Sequence, residues 1–209
     1  MSELHDAILE GDAKAAVVAA EQALQAGADP LDLVQSHMVP AMDEVGRRFE
    51  CEEYFVPELL LAARAMKGAL ALIRPRLAAG GAEPSARVVI GTVKGDLHDI
   101  GKNIVASMLE GGGFEVIDLG ADVPPEKFVA AVKEKSADLV CLSALLTVTM
   151  LSMKTTIEAL RAAGVREQVK VLVGGAPVTQ HFADQIGADG YGENAAAAVR
   201  LARRLVAAA

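Results

Sequence analysis

Gly91-Thr-Val-Lys-Gly-Asp96-Leu-His98-Asp-Ile-Gly101-Lys-Asn is the stretch that decides how this chain folds and where its chemistry lies. It follows Arg87-Val-Val-Ile90, a β-branched run that reads as a buried strand. It opens into Ile104-Val-Ala-Ser-Met-Leu-Glu110, which reads as a helix closed by Gly111-Gly-Gly113. Asp96 and His98 therefore fall on a strand-to-helix loop, where doubly wound α/β folds gather their ligand chemistry. A carboxylate two residues before a histidine can hold one imidazole nitrogen while the other faces a metal. A protein-built zinc site needs three or four clustered ligands. His5, His37 and His181 are scattered, however, and Cys51 and Cys141 lie far apart. A metal at His98 would bring most of its coordination sphere with it, as a macrocycle does, and leave the protein one axial position.

Downstream of this stretch the chain alternates strand and helix. Strands are expected near 87–92, 115–119, 138–143 and 169–174, with a short fifth near 189–191. Helices are expected near 101–111, 125–136, 150–163, 179–187 and 193–207. Such alternation implies right-handed crossovers and a doubly wound, five-stranded parallel sheet with helices on both faces. In a flavodoxin-like strand order the switch point lies between the first and third strands, whose following loops carry His98 and Ser143.

Upstream, residues 1–79 show no strand pattern. Glu3–Glu10 and Asp12–Ala26 read as helices, with Asp12 an N-cap. Gly27-Ala-Asp29-Pro30 is a stop followed by a start: Gly as C-cap, Asp as N-cap, Pro at the first helical position. A third helix runs from Leu31 to Phe49 with a bend near Pro40, burying Leu31, Val34, Met38, Met42, Val45 and Phe49. A fourth runs from Pro57 to Ala79. Four helices joined by short turns read as an antiparallel bundle. The Gly/Pro/Ser-rich stretch beginning at Gly80 separates the two parts, giving a helical domain over 1–80, a linker over 81–86 and an α/β domain over 87–209.

Composition narrows the function. A net charge of −8 and a pI near 5.0, with no basic cluster, argue against nucleic-acid binding. The N-terminus lacks the basic and apolar regions of a signal peptide. The longest apolar run, around Leu139–Leu151, is too short to span a bilayer. Both cysteines read as reduced thiols, and the chain as cytoplasmic. Aromatics are only 3% of residues, so small aliphatic side chains must do the packing.

Asp96-x-His98-x-x-Gly101 resembles the cobalamin-binding motif of methionine synthase and of the corrinoid proteins of methyltransferase systems. The resemblance implies that His98 is the lower axial ligand of cobalt, replacing the dimethylbenzimidazole of the cofactor. It makes Asp96 the carboxylate that steadies the imidazole, and Asp96 and His98 the reactive pair. Thr92, Gly95, Asp99, Ile100 and Gly101 complete that contact loop. Ser143-Ala-Leu145 resembles the family's second motif, whose serine hydroxyl joins the motif network and reaches toward the nucleotide tail; Thr147 resembles a further tail contact. Gly174-Gly175 resembles the third motif, and Tyr191-Gly192 the end of the slot that buries the displaced base.

The helical part carries its own resemblance. Val45-Gly46-x-x-Phe49, Tyr54-Phe-Val56-Pro-Glu-Leu59 and Ala62-Ala-Arg-Ala-Met-Lys67 resemble the cap that precedes the cobalamin domain in these proteins. The resemblance puts Phe49 and Val56 over the methyl-bearing face of the corrin. The chain is thus expected to carry a methyl group, as methylcobalamin or a related corrinoid. One partner methyltransferase would load it from a methylamine, methanol or an aryl methyl ether, and another would pass it to a pterin or thiol. Two rivals remain: the small subunit of a carbon-skeleton mutase, which shares the motif and the α/β fold, and a cobalamin-based sensor, which shares the cap and the fold.

Overall fold

Strand β1 (Arg87–Thr92) lies between β2 (Glu115–Asp118) and β3 (Leu139–Ser143), followed by β4 (Lys170–Gly174) and β5 (Gly190–Gly192). All four pairings are parallel, in the order β2-β1-β3-β4-β5. This is the expected flavodoxin-like arrangement, and the order reverses between β1 and β3. The computed structural model describes residues 2–79 and 86–207. Except for Ala86, the linker expected at 81–86 lies outside the described residues. The chain divides into two compact units, Met1–Ser85 with Ser107–Phe114, and Ala86–Ala106 with Glu115–Ala209.

In the helical unit, α1 (Ser2–Leu9) and α2 (Ala13–Gln25) precede a composite third helix, and α5 (Val56–Ala79) closes the set. Asp12 caps α2, its carboxylate accepting from the Lys14 and Ala15 N–H groups, both at 3.0 Å. Asp29 does the same for Leu31 and Asp32 at 2.7 and 3.0 Å, with Pro30 at the first helical position. Gly27 supplies the left-handed stop at φ +85°. Small residues line the buried face: Ala16 and Ala20 of α2, and Ala62, Ala65 and Ala69 of α5, leave almost nothing exposed.

The third helix departs from the expected pattern. It runs as a short α-turn α3 (Pro30–Asp32), a π-helical segment (Leu33–Met38) and then α4 (Val39–Glu50). Pro40 has no N–H to give to the preceding turn. The wider π turn, in which Val39 N–H reaches back to Val34 C=O, absorbs that missing bond. One extra residue in the turn also shifts the phase of the buried face. Leu33 and Met38, five apart, point inward, whereas the expected Leu31 is exposed and Val34 and Phe49 are half-buried. From Met38 onward Met42 and Val45 follow the ordinary spacing and are buried as expected.

In the sheet unit, α7 (Pro125–Lys135) and α8 (Met150–Ala162) supply Phe128, Val132, Met153, Ile157 and Leu160 to a core shared with Val89, Val140, Leu142, Val171 and Val173. Gly91 is in β1 because a Cβ there would sit 2.8 Å from the Phe128 ring. Helices α6 (Ile100–Gly111), α9 (Gln180–Ile186) and α10 (Ala195–Ala207) complete the alternation. Cys141 is buried in β3, which pushes its thiol up to about 12, and Cys51 is exposed; both are free.

Candidate functional site

Strand register brings four of the expected site residues into one row. Thr92 pairs with Ser143, Ser143 with Gly174, and Gly174 with Gly192, at the C-terminal ends of β1, β3, β4 and β5. The loop after β1 rises from this row at the switch point. It turns at Gly95, whose φ of +87° is left-handed, and the next residue, Asp96, points inward.

Asp96 is completely buried, and donors occupy both of its oxygens. Oδ1 accepts from the His98 backbone N–H at 3.0 Å and lies 2.7 Å from His98 Nδ1. Oδ2 accepts from Leu145 N–H at 2.7 Å, Leu146 N–H at 3.3 Å and the Thr149 hydroxyl at 2.6 Å. Burial alone would raise the pKa of this carboxyl. The hydrogen bonds from Thr149, Leu145 and His98 outweigh burial and hold it well below the usual carboxylate range. Asp96 is therefore a fixed negative charge that ties the loop after β3 to the loop after β1.

That charge orders the imidazole. With an ionised carboxylate at Nδ1, the ring keeps its proton on that nitrogen and leaves the Nε2 lone pair free. The His98 side chain is half exposed, so Nε2 is the outward nitrogen. Thr92, itself buried, donates its hydroxyl to His98 C=O at 3.0 Å and fixes the backbone from below.

The two segments that Asp96 ties together carry uncovered apolar side chains. Leu97 and Ile100 flank His98 on its own loop, and Leu145, Leu146, Val148 and Leu151 stand exposed on the segment that Asp96 holds. Gly101 adds a gap. Its Cβ would meet nothing within 4 Å, and its backbone needs no left-handed angle, so nothing inside the protein requires glycine there. Gly175 is the reverse case: at φ +134°, a Cβ would lie 1.9 Å from Ala144 C=O, so the chain's own packing demands it.

The hydroxyl that reaches Asp96 is that of Thr149, while Ser143 is half-buried at the end of β3. Ser143 contributes through its backbone, accepting from Val93 N–H at 3.0 Å. Thr147 and Asp99 are exposed, and Tyr191 is half-buried beside the core. In the sequence, Thr149 is one of three hydroxyls within seven residues, and only the path of the loop selects it. In the helical unit, Phe49 is half-buried and Val56 partly exposed, while Phe55 between them in the turn is 62% exposed.

Two family models, both described as B12 binding domain, match residues 86–200 and 2–74. The chain belongs to the B12-binding corrinoid proteins. It is 46% identical to a trimethylamine corrinoid protein of Methanosarcina acetivorans over 96% of this chain and 94% of the relative. It is 43% identical to a corrinoid protein of Desulfitobacterium hafniense over 99% and 97%. Among solved structures it matches a methanol:cobalamin methyltransferase complex from Methanosarcina barkeri with a TM-score of 0.85 and 33% identity, over 99% of this chain and 79% of that one. The residues present suit a B12 cofactor: a flat macrocycle needs an apolar shelf, room for close approach and one axial donor. The leucine-rich surroundings, the gap at Gly101 and the outward Nε2 of His98 supply these in turn.

Proposed function

We propose that the chain is a methyl carrier, holding a corrinoid through His98 and shuttling a methyl group between two methyltransferase proteins. The observation that carries this reading is the half-exposed imidazole whose Nδ1 is locked on the buried Asp96 carboxylate. The relatives favour it over both rivals, being named as methylamine corrinoid proteins or solved with a methanol methyltransferase. Identities of 45–46% to proteins named for trimethylamine and dimethylamine favour a methylamine as the donor.

When bound, the cofactor supplies a cobalt centre that accepts and releases a methyl group. His98 Nε2 would be the protein's donor to that metal, with Asp96 holding the ring in place through Nδ1. Leu97, Ile100, Leu145 and Gly101 would form the cofactor's contact shelf, with Thr92, Gly95 and Asp99 shaping the loop. Ser143, Thr147, Gly174, Gly175, Tyr191 and Gly192 would take the nucleotide tail. Phe49 and Val56 would shield the bound methyl group. We assign the cap to residues 1–80 and the B12 domain to 87–209, and place the protein in the cytoplasm. Among the described residues no helix is long and apolar enough to cross a membrane.

The test uses protein labelled with ¹⁵N-histidine and loaded with cobalamin. After one-electron reduction, the electron paramagnetic resonance spectrum should show cobalt hyperfine lines split by one ¹⁵N nucleus. The His98→Ala variant should bind cobalamin without that splitting. A ¹⁴N pattern in the labelled wild type would mean that the cofactor's own base is the ligand, and would overturn the assignment.

A further inference from the structure

Asp122 stands in the loop after β2, exposed, with its backbone in the left-handed region at φ +52°. Few residues adopt that conformation; asparagine and aspartate tolerate it best after glycine. Opposite it, on the loop after β1, Gly95 is also left-handed, and the two residues are bonded to each other. Gly95 N–H donates to Asp122 Oδ1 at 2.7 Å, and Asp122 N–H donates to Asp96 C=O at 2.9 Å. The two loops run together on both sides of this clasp: Thr92 N–H reaches Gly120 C=O at 2.9 Å, and Val123 N–H reaches Thr92 C=O at 3.0 Å.

We propose that Asp122 is a positioning residue for the cobalt ligand. It grips the Gly95–Asp96 peptide at both ends and so sets the direction of the carboxylate that orients His98. Gly95 is the weak point of the ligand loop, since glycine unrestrained samples more backbone space than any other residue. The Asp122 carboxylate removes that freedom. The buried bonds to Leu145 and Thr149 hold Asp96 from the β3 side; Asp122 holds it from the β2 side. Without it, Asp96 can keep its buried partners only by letting the His98 end of the loop drift.

This inference rests on His98 being the axial ligand, and its test separates the two. Asp122→Ala removes the acceptor and strains the backbone, Asp122→Gly removes the acceptor while accommodating the left-handed angle, and Asp122→Asn keeps both acceptor and conformation. Each is loaded with cobalamin in ¹⁵N-histidine protein, and the histidine-ligated and unligated forms are quantified from the ¹⁵N splitting. Asp122→Ala and Asp122→Gly should lower the ratio of ligated to unligated roughly tenfold, and Asp122→Asn should restore it. In the cofactor-free protein, the Gly95 amide should exchange faster in the alanine and glycine variants than in wild type or Asp122→Asn. Full ligation in Asp122→Gly would show that backbone conformation alone matters, and would overturn the proposal. Loss in Asp122→Asn equal to that in Asp122→Gly would also overturn it, because the acceptor would then be irrelevant. If Asp122→Ala fails to fold, the glycine and asparagine pair decides. Wild type without ¹⁵N splitting would overturn the ligand assignment itself, and this inference with it.

Discussion

Replacing Asp96 by asparagine changes one atom, yet the site has no orientation in which the amide fits. With the amide NH₂ at the Oδ2 position, it faces the Leu145 and Leu146 N–H groups at 2.7 and 3.3 Å, donor against donor. Thr149 can adapt there, since Leu146 C=O lies 2.8 Å from its hydroxyl and can take its proton. With the NH₂ at the Oδ1 position, it faces the His98 N–H at 3.0 Å, and the ring must turn Nδ1 into an acceptor. That second choice moves the imidazole proton to Nε2, the nitrogen a metal requires. Either way at least one hydrogen bond to a buried charge is lost, worth about 1.5–3 kcal/mol. For a chain of this length that corresponds to about 3–12 °C in melting temperature. The assay pairs thermal unfolding of the cofactor-free variant with the ¹⁵N splitting of the cobalamin-loaded one. A variant that melts with wild type and keeps its histidine–cobalt splitting would refute this account of Asp96.

Gly101→Ala should leave the cofactor-free protein as stable or gain up to about 1 kcal/mol of helix propensity, while weakening cobalamin binding, as read by apoprotein titration. Gly175→Ala should destabilise by about 2–5 kcal/mol, through backbone collision and a left-handed angle together, as measured by denaturant unfolding. Under native conditions a thiol reagent should modify Cys51 alone, because burial holds the Cys141 thiol at about 12, and both should react after denaturation; mass spectrometry counts the adducts. Asp96 has a depressed pKa in the folded state, so its contribution is complete above the unfolded value of about 3.9 and fades as pH falls below it. Stability of wild type relative to Asp96→Asn should therefore stay constant from pH 7 to about 5 and shrink in stronger acid, as followed by urea unfolding at each pH.

Local signals carried the architecture into the sequence. Asp12, Gly27, Asp29 and Pro30 start and stop helices through bonds to their immediate neighbours, and each acts as its type suggests. The β-branched runs and their spacing yielded the strands, and the switch-point rule placed His98 and Ser143 on neighbouring strand ends. What stayed hidden depends on contacts distant in sequence. Thr149 meets Asp96 across 53 positions, and Asp122 meets Gly95 across 27. No local pattern selects these over Ser143 or Thr147, because loop paths bring them in. The exposure of Leu31 was hidden for a different reason: a constant helical period cannot foresee a single wider turn.

The π turn at Leu33–Met38 amounts to one residue more than an α-helix of the same rise would hold. Removing any one residue there offers the chain a regular helix, but at a geometric penalty. Each residue advances an α-helix by about 100° and 1.5 Å, so Ala41, Met42 and Val45 could not all keep their places relative to Leu33. The regular helix would also set the Pro40 ring against the carbonyl four residues before it, the collision that the wide turn avoids. Single-residue deletions across 33–38 should thus be far more damaging than point substitutions at its exposed positions, such as Gln35. The length of this segment, more than its composition, is what the bundle specifies.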